Sequence, residues 1–158
     1  MFEINPFDTI RTLQYKNIIA SKRMIRELLE SYREGNISIN RNSKDIDSWY
    51  RKRSPDDGEI DFRNRTRDIY NLIRAVTRPF PGAFAFCKGQ RVTIWDAVPF
   101  DQILDFSDYC PGQIIGKFDG KPIIRTVDGS LLVRDYECDI ELQELDILRG
   151  KATSDSDF

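Results

Sequence analysis

The side chains of this 158-residue chain best suited to chemistry are cations and aromatics rather than acids, bases or nucleophiles. Arg51, Lys52 and Arg53 follow Trp49 and Tyr50 directly, and Arg74 and Arg78 stand four residues apart further on. Guanidinium groups fit phosphate oxygens bidentately, so Arg51, Arg53, Arg74 and Arg78 are candidates for gripping a nucleotide diphosphate or tRNA, and Tyr50 is a candidate for stacking a base beside them. Each has a plainer alternative. Beside Asp56, Asp57, Glu59 and Asp61 the first cations can pair at the surface, Arg78 can stabilise a helix C-terminus, and Trp49, Tyr50 and Trp95 can plug a domain seam. Groups that move protons or form covalent bonds near neutral pH are scarce. The chain has no histidine, and its three cysteines, Cys87, Cys110 and Cys138, form no Cys-x-x-Cys pair. Neither a zinc site nor a closed disulfide framework is expected, and reduced thiols in a cytoplasmic protein are the direct reading.

Composition, at 40% hydrophobic and 32% charged, is that of a folded globular protein. No apolar run approaches the roughly 20 residues that span a bilayer, and Met1-Phe-Glu-Ile-Asn-Pro lacks the basic start of a signal peptide. No membrane partner and no metal are expected. The net charge of −2 is unevenly spread. Residues 1–78 carry 16 Lys and Arg against 12 Asp and Glu, residues 79–137 carry 6 against 8, and 138–158 carry 2 against 6. The middle region is therefore poorly suited to tracking phosphates.

Elements that could position these residues follow from periodicity. Ile10, Leu13, Met24, Ile25, Leu28, Leu29 and Tyr32 recur at helical spacing, with Asp8 available as N-cap and Gly35 as stop. This predicts one long helix over 9–34, or two with a break near Asn17. Residues 36–44 read as a loop. Pro55-Asp-Asp-Gly58 reads as a turn, and Ile69, Leu72, Ile73 and Val76 form the core stripe of a second helix capped by Thr66 or Asn64. Pro79 and Pro81 end that helix. Strand-type stretches then alternate with tight turns: 83–87, 91–98, 113–118, 122–127 and 130–136, with Asp119-Gly and Asp128-Gly as hairpin signals. The fold class expected is α+β: a long N-terminal helix and a short helix leading into a small open antiparallel β-barrel of the oligonucleotide-binding kind. Residues 151–158 read as a frayed tail.

Several segments carry a resemblance in the right order. Asn71-Leu-Ile-Arg-Ala75 with Arg78-Pro-Phe-Pro-Gly-Ala-Phe84, Tyr50-Arg-Lys-Arg-Ser-Pro-Asp-Asp-Gly-Glu-Ile-Asp-Phe62, Pro111-Gly-Gln-Ile114 and Asp128-Gly-Ser-Leu-Leu-Val133 lie within 47–137. Together they resemble the C-terminal region of the folate-dependent formyltransferases, the family of methionyl-tRNA formyltransferase and the sugar-nucleotide N-formyltransferases. Asp56 and Phe62 depart mildly from that pattern. The resemblance implies a division into a trailing helix and loop of an absent Rossmann-like catalytic domain (1–45), a linker and helix (46–78), a C-terminal barrel (79–150) and the tail. It implies that Met1 falls just past the family's catalytic Asp.

In intact members an Asn, a His and an Asp on the Rossmann-like domain transfer a formyl group from 10-formyltetrahydrofolate to an amine. None of that triad is carried over to this chain, so no catalytic and no cofactor-binding residue is assigned and the chain alone is expected to be inactive. The acidic balance of 79–137 favours a sugar-nucleotide amine over methionyl-tRNA as acceptor. The alternatives are a stand-alone module binding an oligonucleotide or a protein, and a non-catalytic remnant. With no catalytic sheet to cover it, the stripe on the long helix is expected to fold back on the barrel or to pair in a homodimer.

Overall fold

The computed structural model describes residues 2–36 and 49–150, in two compact units, Met1–Arg53 and Ser54–Phe158. The expected loop at 36–44 and the expected tail at 151–158 lie, apart from Asn36, outside the described residues.

The N-terminal unit is built on one continuous helix, α1, Ile10–Arg33, with no break near Asn17. Its N-cap is Thr9 rather than Asp8: Thr9 and Thr12 exchange side-chain to backbone hydrogen bonds in a reciprocal capping box. Asp8 instead ties the preceding turn to the helix, accepting from the Asn5 N–H, the Thr12 hydroxyl and the Lys16 ammonium. Lys16, with help from the Asn5 N–H, holds the Asp8 carboxyl down at about 2. The helix ends as expected at Gly35, whose φ of 72° lets its N–H reach Tyr32 O while the Asn36 N–H reaches Ser31 O.

The second unit begins with a single 3-10 turn, Pro55–Gly58, and a short helix, α2, Thr66–Val76. Five antiparallel strands follow: β1, Ala83–Cys87; β2, Gln90–Asp101; β3, Ile114–Phe118; β4, Lys121–Thr126; and β5, Gly129–Glu137. Lys88-Gly89 and Asp119-Gly120 have positive φ at both positions, the geometry that matches the twist of a two-residue hairpin. The strands lie in the order β1-β2-β5-β4-β3, so the sheet is open and its pairing closes no barrel. Instead the C-terminal segment reaches both edges. Arg149 exchanges two backbone hydrogen bonds with Phe86 of β1, while Asp146, Leu145 and Leu148 pair with Ile114 and Gly112 at the entry to β3.

The core lies between α2 and one face of the sheet, where Ile69 and Ile73 of the predicted helical stripe meet Val92, Ile94, Ile124, Leu131 and Val133. Full burial of each such side chain contributes about 1.5–3 kcal/mol. The cap of α2 departs from expectation. Arg65 occupies the N-cap position without a side-chain bond, and Asp128, in the β4–β5 hairpin, accepts from the Thr66 N–H at 2.7 Å and the Thr66 hydroxyl at 2.8 Å. A carboxylate from 62 residues away thus replaces a local cap and faces the positive end of the helix. Burial would raise the Asp128 carboxyl, but the hydrogen bonds from Thr66 outweigh it and hold the group below the ordinary range.

Two outcomes follow. Asp128→Ala should cost about 1 kcal/mol, the usual worth of a helix cap. Because the folded state depresses this carboxyl, its stabilisation is complete above the ordinary value of 3.8 and is lost as pH falls through the lower folded value. The stability gap between wild type and Asp128→Asn should therefore shrink on acidification, which urea melts across that range would measure. Gly82→Val should cost roughly 1–3 kcal/mol in the same assay. Gly82 has φ of 85°, and a Cβ there would lie 2.7 Å from Thr93 Cγ2 and 2.8 Å from Trp95 Cζ3.

Candidate functional site

Three irregularities in β2·β5 pairing shape an exposed surface of the second unit. Ile94 pairs with Tyr136 and Asp96 with Asp135, so Trp95 is an extra residue in β2; Ala97 then pairs with Val133, making Arg134 the extra residue in β5. A third shift leaves Phe100 unpaired. Each bulge re-aims a side chain away from simple alternation. The Trp95 carbonyl is not orphaned: the Thr77 hydroxyl, at the exit of α2, donates to it at 2.8 Å.

Trp95 is the centre of a small cluster. The Arg78 guanidinium lies 4.2 Å from its ring centroid, within cation–π range. Arg78 also donates to Asp135 Oδ2 at 2.8 Å and has Glu137 Oε1 at 3.8 Å, while the indole N–H donates to Glu137 Oε2 at 3.1 Å. Arg134 grips Asp96 with two nitrogens, at 2.7 and 3.0 Å, and this pairing raises the Arg134 pKa. Arg74, in the last turn of α2, donates to Asn71 Oδ1 at 2.9 Å and stands 5.6 Å from the Tyr70 ring centroid.

Of the five residues read as candidates, the structure thus gathers Arg74 and Arg78 at the exit of α2. Tyr50, Arg51 and Arg53 lie in the other unit and are exposed, Tyr50 by 90%. Asp61, one of the carboxylates considered as a partner for those cations, pairs with Arg63, and Asp57 receives the Ser54 N–H. Asp135, Glu137 and Asp96 were missed. Their only sequence signal is an acidic residue on the polar side of a strand, which bulges displace from its nominal face.

The cluster can hold and orient but has no group poised to exchange protons near neutral pH. Its cations Arg78 and Arg134 face the carboxylates Asp96, Asp135 and Glu137, and no histidine exists to intervene. Cys87 is buried, and that burial, with Asp146 nearby, pushes its thiol up and away from reactive thiolate. Among the described residues no group of three or more Cys, Asp and Glu is gathered as a metal would require, and no described helix is long and apolar enough to cross a membrane.

A short helix, a proline corner, five antiparallel strands in the order 1-2-5-4-3 and a returning strap define an α+β domain. The chain belongs to the formyl transferase C-terminal domain family, whose model matches residues 52–152. Solved structures of HypX from Aquifex aeolicus share the fold. One variant aligns over 96% of this chain and 26% of its own, at 19% identity and a TM-score of 0.65. The complex of that protein with tetrahydrofolic acid aligns over 81% of this chain and 21% of its own, at 21% identity and a TM-score of 0.57. The chain spans about a quarter of HypX or less.

The cluster predicts a spectroscopic outcome. In a Trp49→Phe background, where Trp95 is the only indole, Arg78→Ala should uncover the ring and move its emission to longer wavelength, while Arg78→Lys should do so less. The stability change should stay within about 1 kcal/mol, since the ion pair is half exposed. Identical emission from all three proteins would contradict the stacking.

Proposed function

We propose that this chain is the acceptor-side, non-catalytic region of a formyl-transferring protein, and that the chemistry resides on a folate-bearing domain it does not contain. The observation that carries this reading is the match to the family over 52–152 in a chain without a histidine. Formyl transfer to an amine needs a base titrating near neutrality and a donor for the developing oxyanion. The Trp95 cluster supplies neither, but its fixed guanidinium and indole are well suited to bounding a bound acceptor.

In this reading the donor used by the intact protein is 10-formyltetrahydrofolate, which the tetrahydrofolic acid bound by HypX supports. A sugar-nucleotide amine is favoured over methionyl-tRNA, because residues 79–137 carry 6 cations against 8 carboxylates and a tRNA-facing surface should be basic. Arg74 and Arg78, gathered at the exit of α2, are the residues assigned to the diphosphate. The rival reading, a free-standing oligonucleotide-binding module, requires a basic groove with exposed aromatics, and the strand region has the opposite charge balance.

The purified chain should release no formylated product from 10-formyltetrahydrofolate with either acceptor. Folate-dependent turnover that a substitution within residues 1–158 abolishes would overturn the reading. With a catalytic domain joined ahead of it, Arg74→Ala and Arg78→Ala should each raise KM for the sugar nucleotide several-fold with kcat nearly unchanged. Unchanged KM in both would remove them from the acceptor site.

A further inference from the structure

We infer that Asp135 and Glu137 are displaceable counter-ions: they hold Arg78 until the acceptor's diphosphate takes their place, and so set how tightly the acceptor binds. This rests on the assignment of Arg74 and Arg78 to the diphosphate. Arg78 is occupied on two sides. Its carbon centre lies over the Trp95 ring, 4.2 Å from the centroid, while Nη1 donates to Asp135 Oδ2 at 2.8 Å and Nη2 stands 3.8 Å from Glu137 Oε1. A phosphate grips a guanidinium through two of its nitrogens. Any such pair includes Nη1 or Nη2, so a bidentate phosphate meets a carboxylate already in place. The guanidinium can keep its seat on the indole while the oxygens around it are exchanged.

Two features mark these carboxylates as exchangeable. First, the neighbouring pair is built differently. Arg134 holds Asp96 with two nitrogens at 2.7 and 3.0 Å, whereas Arg78 has one short bond to Asp135 and only a long approach to Glu137. Arg78, Asp135 and Glu137 are 52, 51 and 68% exposed, so water competes for each partner and the pairing is weak. Second, Asp135 opposes the sheet that carries it. It stands directly across from Asp96 in the β2·β5 ladder, and like charges in that position disfavour strand pairing. A neutral polar residue would suit this half-exposed strand better, and choices that work against the fold are expected where a residue serves function. Glu137 links the exchange to the indole. Its Oε2 accepts the Trp95 N–H at 3.1 Å, so a change of partner at Arg78 alters the charge around that ring. Return of the carboxylates to Arg78 is the same exchange in reverse, and it favours release of product.

Inorganic pyrophosphate, titrated into the full chain carrying Trp49→Phe at fixed ionic strength, tests this by Trp95 emission and by calorimetry. Saturable binding is expected. Asp135→Asn and Glu137→Gln should each tighten it by about two- to fivefold, the range expected of exposed ion pairs, and together by more than either alone. Arg78→Ala should weaken it several-fold. Asp108→Asn, which neutralises an acid in the loop after β2, should leave it unchanged. Carboxamide variants that fail to tighten binding, with Arg78→Ala still weakening it, overturn the inference and leave the diphosphate assignment standing. Equal tightening by Asp108→Asn also overturns it, because bulk charge would then suffice. No pyrophosphate binding in any of these proteins overturns the inference together with the assignment beneath it.

Discussion

The second unit depends on how the chain leaves α2 and enters the sheet. Between Val76 and Ala83 the backbone turns a corner in which the Gly82 N–H returns to Val76 O at 2.9 Å and the Gly82 α-carbon lies against Thr93 and Trp95. No side chain fits there. With the corner that close, β1 is delivered in register on β2, and the Thr77 hydroxyl is brought within reach of the carbonyl that the Trp95 bulge sets free. The bulge then turns the indole toward Arg78, and Asp135 and Glu137 on β5 complete the cluster. Packing of a glycine, satisfaction of one bulged carbonyl and placement of one guanidinium are therefore a single constraint.

Closure at the far ends of the unit relies on contacts between residues distant in sequence. The open sheet would leave β1 and β3 as bare edges, and unpaired edges invite unwanted strand addition. The strap at Leu145–Arg149 covers part of both with backbone hydrogen bonds, and a parallel bridge between Glu59 and Phe84 covers more of β1. Asp128 plays the matching part for α2, and the buried pair of hydroxyls on Thr66 and Thr126, 2.6 Å apart, extends that contact into the core.

Local signals made much of this legible. The five strands fall close to the segments marked by alternating apolar residues and Gly-containing turns, and Gly35 ends α1 where helical periodicity stops. Order along the chain also made the family legible, since the Pro-x-Pro-Gly corner and the Asp-Gly turns survive as motifs. What was illegible is non-local. Nothing near Asp128 in the sequence says that it faces a helix begun at Thr66, and Thr9 won the α1 cap from Asp8 only because Lys16 and Asn5 claim the carboxylate. Strand alternation predicts a clean two-sided sheet, so it hides the bulges at Trp95, Arg134 and Phe100 and the carboxylates they gather. It also carried the expectation of a barrel past what strand pairing supports. The candidate cations were visible as residue types, but their division between two units was not.

Trp95 is seated by the corner and clamped by Arg78 and Glu137. Nuclear magnetic resonance of the full chain tests it directly. A strong Overhauser contact is expected between the Gly82 α-protons and the Trp95 Hζ3, with slow solvent exchange of the indole N–H that quickens in Glu137→Ala. A rapidly exchanging indole with no contact to Gly82 would contradict it.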